Sequence, residues 1–118
     1  MIGLGIDAVN VHRFREALNR TPNLRTRIFT DAELESLASR ADSAPSLAVR
    51  FAAREATMKA LGVGLGAFDL HDVSIRNSES GSPELIVTGR AAVLAQSRGV
   101  SACTVTRCEK LARFAFAY

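Results

Sequence analysis

The chain has 118 residues, a length typical of one domain, here residues 1–118. With 47% hydrophobic and 23% charged residues it should fold, and it is too apolar to be disordered. No stretch reaches the ~20 consecutive apolar residues of a membrane helix, and no signal-peptide pattern opens the chain, so a cytoplasmic location is expected. Cys103 and Cys108 match no zinc or redox spacing and are interpreted as packing residues.

The formal charge is +3, with arginine supplying most of the basic side chains. Arginine suits bidentate contact with phosphate or carboxylate, so the balance is compatible with an acidic protein partner or a phosphorylated ligand. Nucleic acid is disfavoured because the sequence has no Lys/Arg run and no nucleic-acid motif with interleaved aromatic residues.

The chain opens with a predicted strand and helix. The apolar run 1–7 is typical of a buried strand that ends on the carboxylate of Asp7. Asn10 can cap a helix that ends before Thr21. The apolar positions of that helix form one stripe: Val11, Phe14 and Leu18.

Two further helices are predicted in the middle of the chain. Thr30 and Glu33 have the spacing of a capping box and predict a short helix through about residue 38. Residues 39–46 are interpreted as a loop. An alanine-rich helix over 47–61 should then end at Gly62, where a left-handed conformation suits glycine.

The second half predicts two hairpins around a helix. The segments are a strand over 71–76, a turn containing Gly81, a strand over 84–88, a helix over 89–96, and strands over 102–107 and 112–118 with a turn near Glu109 and Lys110. This order of elements predicts a single α+β domain with a mainly antiparallel sheet packed against the long helix.

Three charged residues stand out chemically: Asp7, Glu55 and Lys59. A carboxylate at the end of an apolar strand could bind Mg²⁺, or it could cap the next helix. Glu55 and Lys59, four residues apart on one face of the long helix, could equally be a solvated ion pair. Arg50 and Arg54 are expected on neighbouring parts of the same surface.

The sequence around Glu55 favours a chemical role for these residues. The stretch RFAAREATMKALGVGLG, residues 50–66, combines a carboxylate, a lysine and alternating glycines among small alanines. A carboxylate for a metal, a lysine for a phosphate oxygen and a glycine-rich turn that admits phosphates form one coherent set for phosphoryl-group chemistry.

Two motifs resemble those of the holo-acyl-carrier-protein synthases. Gly5-Ile6-Asp7 with Arg13-Phe14 is similar to the first family motif, and residues 50–62 are similar to the second, of the form RFAAKEAxxKALG. Gly81 and Pro83 give a weaker third match. The resemblance covers nearly the full chain and implies a 4'-phosphopantetheinyl transferase fold and a homotrimer with active sites between protomers.

The resemblance also implies an activity, the transfer of 4'-phosphopantetheine from coenzyme A to a serine of an apo acyl carrier protein with release of 3',5'-ADP. Asp7 and Glu55 would hold Mg²⁺, with Mn²⁺ also possible, and Lys59 would neutralise phosphate charge. Glu55 or a metal-bound water would deprotonate the serine. The remaining implied contacts are Arg50, Lys59, Gly62, Gly64 and Arg107 with coenzyme A and Arg13 with the carrier protein.

The sequence departs from the family pattern at several positions. Arg54 replaces a lysine, Asn10 replaces a glutamate in many members, and Arg107 replaces a histidine that could accept a proton, which arginine cannot. His12 and His71 match no family site and are assigned structural or surface roles.

Two alternatives stay open, and the first of them rests on the departure at Arg107. The chain could be an inactive coenzyme A-binding module of the same fold, with Arg107 as the sign of lost catalysis. If it is active, the carrier could be a discrete protein of fatty-acid synthesis or a domain of a large synthase.

Overall fold

The computed structural model describes the backbone of residues 4–100, 104–108 and 112–117, and the side chains of residues 7–100. The elements are β1 (Leu4–Val9), α1 (Val11–Arg20), α2 (Leu24–Ile28), α3 (Asp31–Ser36), α4 (Ala44–Leu61), a 3₁₀ helix (Leu70–Asp72), β2 (Val73–Asn77), β3 (Pro83–Val87), α5 (Gly89–Ser97), β4 (Thr104–Cys108) and β5 (Ala112–Ala117). No helix among these residues is long and apolar enough to cross a membrane.

The described strands form two antiparallel sheets. In the first, β5 lies between β1 and β4, and its register pairs Leu4 with Ala117 and Val9 with Ala112. In the second, β2 pairs with β3. The long helix α4 packs against β1 and β5 and also contacts β2. The predicted α+β architecture with antiparallel strands against a long helix is therefore confirmed.

Local capping signals position the helices as the sequence indicates. The Asn10 side chain accepts a hydrogen bond from the Arg13 backbone N–H at 3.0 Å at the start of α1. Both hydrogen bonds of the capping box between Thr30 and Glu33 are present at the start of α3. Gly62 ends α4 with φ +70°, the left-handed conformation that glycine adopts without a Cβ penalty.

Three expectations about the elements need correction. The loop predicted over 39–46 is wrong in its last part, because α4 begins at Ala44; Pro45 in its first turn needs no helical hydrogen bond from its own nitrogen. His71 lies in the 3₁₀ helix and not in a strand. The short helix α2 was not predicted. The turn expected near residues 109–110 and Cys103 lie outside the described residues.

The core forms around α4 and includes two arginines expected at the surface. Leu47 and six alanines of α4 are buried, as are Phe14 and Leu18 of α1. Arg50 is 6% exposed and Arg54 is 0% exposed. The surface expectation is wrong because α3 brings the carboxylate of Glu33 against this side of α4, where it pairs with the guanidinium of Arg54.

Candidate active site

The fold brings Asp7, Glu55 and Lys59 together, although Asp7 and Lys59 are 52 residues apart in sequence. Asp7 lies in β1, and Glu55 and Lys59 lie on the α4 face that packs on that strand. Lys59 Nζ donates a hydrogen bond to Asp7 Oδ1 at 2.7 Å. Asp7 is mostly shielded, with 17% of its side chain exposed, whereas 56% of the Lys59 side chain is exposed.

Electrostatics couples these three groups. Partial burial raises the pKa of Glu55, the negative charge of Asp7 raises it further, and Lys59 acts in the opposite direction. The hydrogen bond and charge of Asp7 raise the pKa of Lys59, so its ammonium form is favoured. The negative charge of Asp7 thus lies close enough to disfavour ionisation of Glu55, and two carboxylates placed in this way form a site that attracts a cation.

An open groove of about 510 Å³ begins at the two carboxylates. Its walls are mostly apolar, and Phe51 stacks on Phe14 with ring centroids 5.4 Å apart. Arg13 is exposed and lies along this groove. The predicted carrier-protein contact and the predicted metal ligands therefore share one surface. Phe51 was not predicted as a site residue, although it precedes Glu55 by one helical turn.

The predicted glycines follow α4 directly. Gly62 and Gly64 are exposed, and the space where a Cβ would lie is open at both positions. Gly62 has a positive φ, whereas Gly64 does not. The turn can thus be approached closely from solvent at the end of the helix that carries Lys59.

Arg50 does not join the cluster of Asp7, Glu55 and Lys59. Five residues along a helix place Arg50 about 140° from Glu55 around the α4 axis. Arg50 lines a second groove of about 370 Å³ between α3, α4 and the β2–β3 hairpin, and the two grooves have no residue in common. Arg107 lies in β4, where it pairs with Phe114; its side chain is outside the described part of the structure.

The other residues singled out in the sequence have local roles. The Asn10 side chain caps α1, so its oxygen is engaged at the edge of the first groove. His12 pairs with Glu16 on the exposed side of α1 at 3.0 Å, and His71 Nε2 lies 2.8 Å from the Thr26 carbonyl oxygen. The surface interpretation of both histidines agrees with these positions.

Comparisons with known proteins assign this chain to a superfamily and to a family within it. The model of the 4'-phosphopantetheinyl transferase superfamily matches residues 3–117. A holo-[acyl-carrier-protein] synthase of Moorella thermoacetica is 42% identical over 106 residues, which cover 90% of this chain and 83% of that protein. The chain belongs to the 4'-phosphopantetheinyl transferase superfamily and, within it, to the holo-[acyl-carrier-protein] synthase family.

Solved structures agree with this assignment. The synthase of Neisseria meningitidis superimposes with a TM-score of 0.85 at 27% identity, covering 98% of this chain and 95% of that one. A synthase of Bacillus anthracis, described as a complex with CoA (3',5'-ADP), gives a TM-score of 0.69 at 26% identity and covers 98% and 90% of the two chains. The predicted family, fold and enzyme class are confirmed.

Proposed function

We propose that this chain transfers 4'-phosphopantetheine from coenzyme A to a serine hydroxyl of an apo acyl carrier protein, with Mg²⁺, and releases 3',5'-ADP. The observation that carries the proposal is the convergence of Asp7, Glu55 and Lys59 from two elements at one end of an open groove. Names of relatives and the coenzyme A complex of the Bacillus anthracis synthase support the substrates.

The carboxylates of Asp7 and Glu55 can supply part of the coordination shell of Mg²⁺. We assign Asp7 and Glu55 as the ligands because both line the same groove and the charge of Asp7 acts on Glu55. Among the described residues no larger group of His, Cys, Asp and Glu side chains could hold a metal. Mg²⁺ commonly takes one or two carboxylates and completes its shell with waters and substrate phosphates. Bound there, it would supply positive charge to the pyrophosphate of coenzyme A.

The residues of the chain then account for the remaining chemistry. The exposed Lys59 ammonium can contact a phosphate oxygen of the departing 3',5'-ADP and offset the charge that develops there. The serine oxygen attacks the phosphorus attached to pantetheine, and the bond from that phosphorus to the bridging oxygen breaks. Glu55 lines the groove at the carboxylate end, where it or a metal-bound water can take the proton of the serine hydroxyl.

The positions of the arginines favour a site shared between copies of the chain. Arg13 lies on the groove that begins at the carboxylates, where an acidic carrier surface could dock. Arg50 lines the other groove, so a neighbouring copy could bring its Arg50 to the coenzyme A bound at the first groove. We therefore propose the homotrimer, with coenzyme A between protomers, and a cytoplasmic location where both substrates would occur.

Intact-protein mass spectrometry tests the proposal. An apo acyl carrier protein incubated with this chain, coenzyme A and Mg²⁺ should gain one phosphopantetheine group, and chelator should abolish the gain. The Glu55→Gln variant should remain folded and lose most of the activity. Coenzyme A binding without transfer to any of several carriers would instead identify an inactive binding module.

A further inference from the structure

A buried ion pair lies next to the proposed site in sequence but on another side of α4. Arg54 is 0% exposed and Glu33 is 3% exposed. Arg54 Nη1 donates to Glu33 Oε2 at 3.1 Å, and Arg54 Nη2 donates to Glu33 Oε1. The guanidinium thus holds the carboxylate with two N–H groups at once, a geometry that a lysine ammonium does not reproduce.

The same two side chains join α4 to three other elements. Arg54 Nε donates to the carbonyl oxygen of Leu70 in the 3₁₀ helix at 2.8 Å. Glu33, on α3, accepts a hydrogen bond from the backbone N–H of Ile75 in β2 at 3.2 Å. The guanidinium also lies over the ring of Phe29, 5.0 Å from its centroid. These directional contacts fix where Arg54 can lie around the helix axis.

The fixed orientation of Arg54 matters because the rest of the buried surface of α4 is rich in alanine. Short side chains interdigitate weakly and specify the rotation of a helix poorly. A rotation of about 10° moves a side-chain atom ~6 Å from the helix axis by roughly 1 Å. Displacement by about 1 Å can reduce a catalysed rate ~100-fold. Glu55 directly follows Arg54, so any rotation at Arg54 is transmitted to it.

We infer that the ion pair between Arg54 and Glu33 sets the rotation of α4 and thereby positions Glu55 opposite Asp7. Neither side chain lines the groove that holds the two carboxylates, so we treat both as positioning residues. Glu33 also lines the other groove, where its Oε2 lies 3.9 Å from Arg50 Nε, so Arg54 is the member to vary first. A buried ion pair is a weaker source of stability than well-packed apolar residues of similar volume, which accords with a positional role. The inference rests on the proposed function, which assigns Glu55 to the metal.

The test measures coupling between Mg²⁺ and coenzyme A in the absence of any carrier, so that no turnover occurs. Calorimetric titrations of coenzyme A are run with Mg²⁺ and with chelator. In the wild type, Mg²⁺ should tighten coenzyme A binding. In Arg54→Met, we expect the increase in coenzyme A affinity caused by Mg²⁺ to be about tenfold smaller than in wild type. The affinity for coenzyme A in chelator should stay within about twofold of wild type.

Two further variants separate positioning from general stability. Arg54→Lys keeps the charge opposite Glu33 but loses the two-pronged contact, so its coupling should fall between those of wild type and Arg54→Met. Leu37→Ala removes a buried core side chain without touching the ion pair and should lower the melting temperature while leaving the coupling unchanged.

The inference is overturned if folded Arg54→Met shows the same effect of Mg²⁺ on coenzyme A affinity as wild type. It is also overturned if Leu37→Ala loses as much of this effect as Arg54→Met does. If Arg54→Met does not fold, Glu33→Gln replaces it, because glutamine keeps an acceptor for the cap and loses the charge; unchanged coupling there is equally contradictory. A wild type that transfers phosphopantetheine without any Mg²⁺ effect on coenzyme A affinity removes the metal assignment and the inference with it. No transfer by the wild type refutes the proposed function itself.

Discussion

Glu55 illustrates at the scale of one residue how the proposed role of a side chain can oppose folding stability. Its pKa is raised above the usual 4.5, so the ionised form is disfavoured in the folded chain relative to the unfolded one. This penalty is fully present above the folded pKa and disappears below the unfolded pKa. An unfavourable charge at this position is what the proposed contact of Glu55 with a cation predicts.

The Glu55→Gln variant should therefore unfold at a slightly higher temperature than wild type at pH 7, although its transfer rate should fall at least about 100-fold. The difference in melting temperature should vanish at about pH 3, well below the ordinary pKa of 4.5, where Glu55 is protonated in both states. Thermal unfolding followed by circular dichroism at the two pH values measures this. A variant less stable than wild type at pH 7 would contradict the assigned electrostatics.

The effect of Mg²⁺ on the melting temperature tests whether Glu55 is a metal ligand. A cation that binds only the folded chain raises the melting temperature, and the increase continues with the logarithm of its concentration above the Kd. We expect Mg²⁺ to stabilise the wild type and to leave Glu55→Gln nearly unchanged. An equal response in the two proteins would place the cation elsewhere than at Glu55.

The sequence singled out Asp7, Glu55 and Lys59, which the fold brings together at the proposed site, because they lie in short motifs whose spacing is local. It missed the burial of Arg54, because that depends on a carboxylate from another helix. The sequence indicates Glu33 only as the last residue of a capping box, a pattern that concerns the start of its own helix. The ion pair between Glu33 and Arg54 is a tertiary contact between two helices, and local sequence patterns do not predict it.

At the scale of elements, the two glycines at the end of α4 should differ in how much an alanine substitution lowers folding stability. Gly62 has φ +70°, so an alanine there should cost about 1 kcal/mol of folding stability. Gly64 lacks a positive φ and has open space at its Cβ position, so Gly64→Ala should change stability by less than about 0.5 kcal/mol. Urea unfolding of the two variants measures the contrast, and equal losses would contradict it.

The helices and hairpins were largely predictable because their signals are local. Caps at Asn10, Thr30 and Gly62 and the turn glycine Gly81 mark element boundaries in the sequence. The five-residue helix α2 has too few residues to show a helical period, and it was missed. The pairing of β1 with β5 joins opposite ends of the chain, so the sheet order could not be read from neighbouring residues.

At the scale of the whole molecule, the separation of Arg50 from Glu55 predicts complementation between inactive variants. If each site combines Glu55 of one copy with Arg50 of its neighbour, then Glu55→Gln and Arg50→Met should each be inactive alone. Refolded together in equal amounts, they should regain about one quarter of wild-type activity, because one in four random interfaces carries both intact residues. Transfer to an apo carrier followed by mass spectrometry measures the recovery.

The control for this experiment is a mixture in which both changes lie on the same chain. Refolding the double variant with wild type should restore activity only through interfaces between two wild-type copies, again about one in four. Sedimentation of the wild type should give close to three times the chain mass of 12.7 kDa. A trimer whose mixed variants remain inactive would place Arg50 and Glu55 in separate functions, and a monomer that transfers phosphopantetheine would show that one copy suffices.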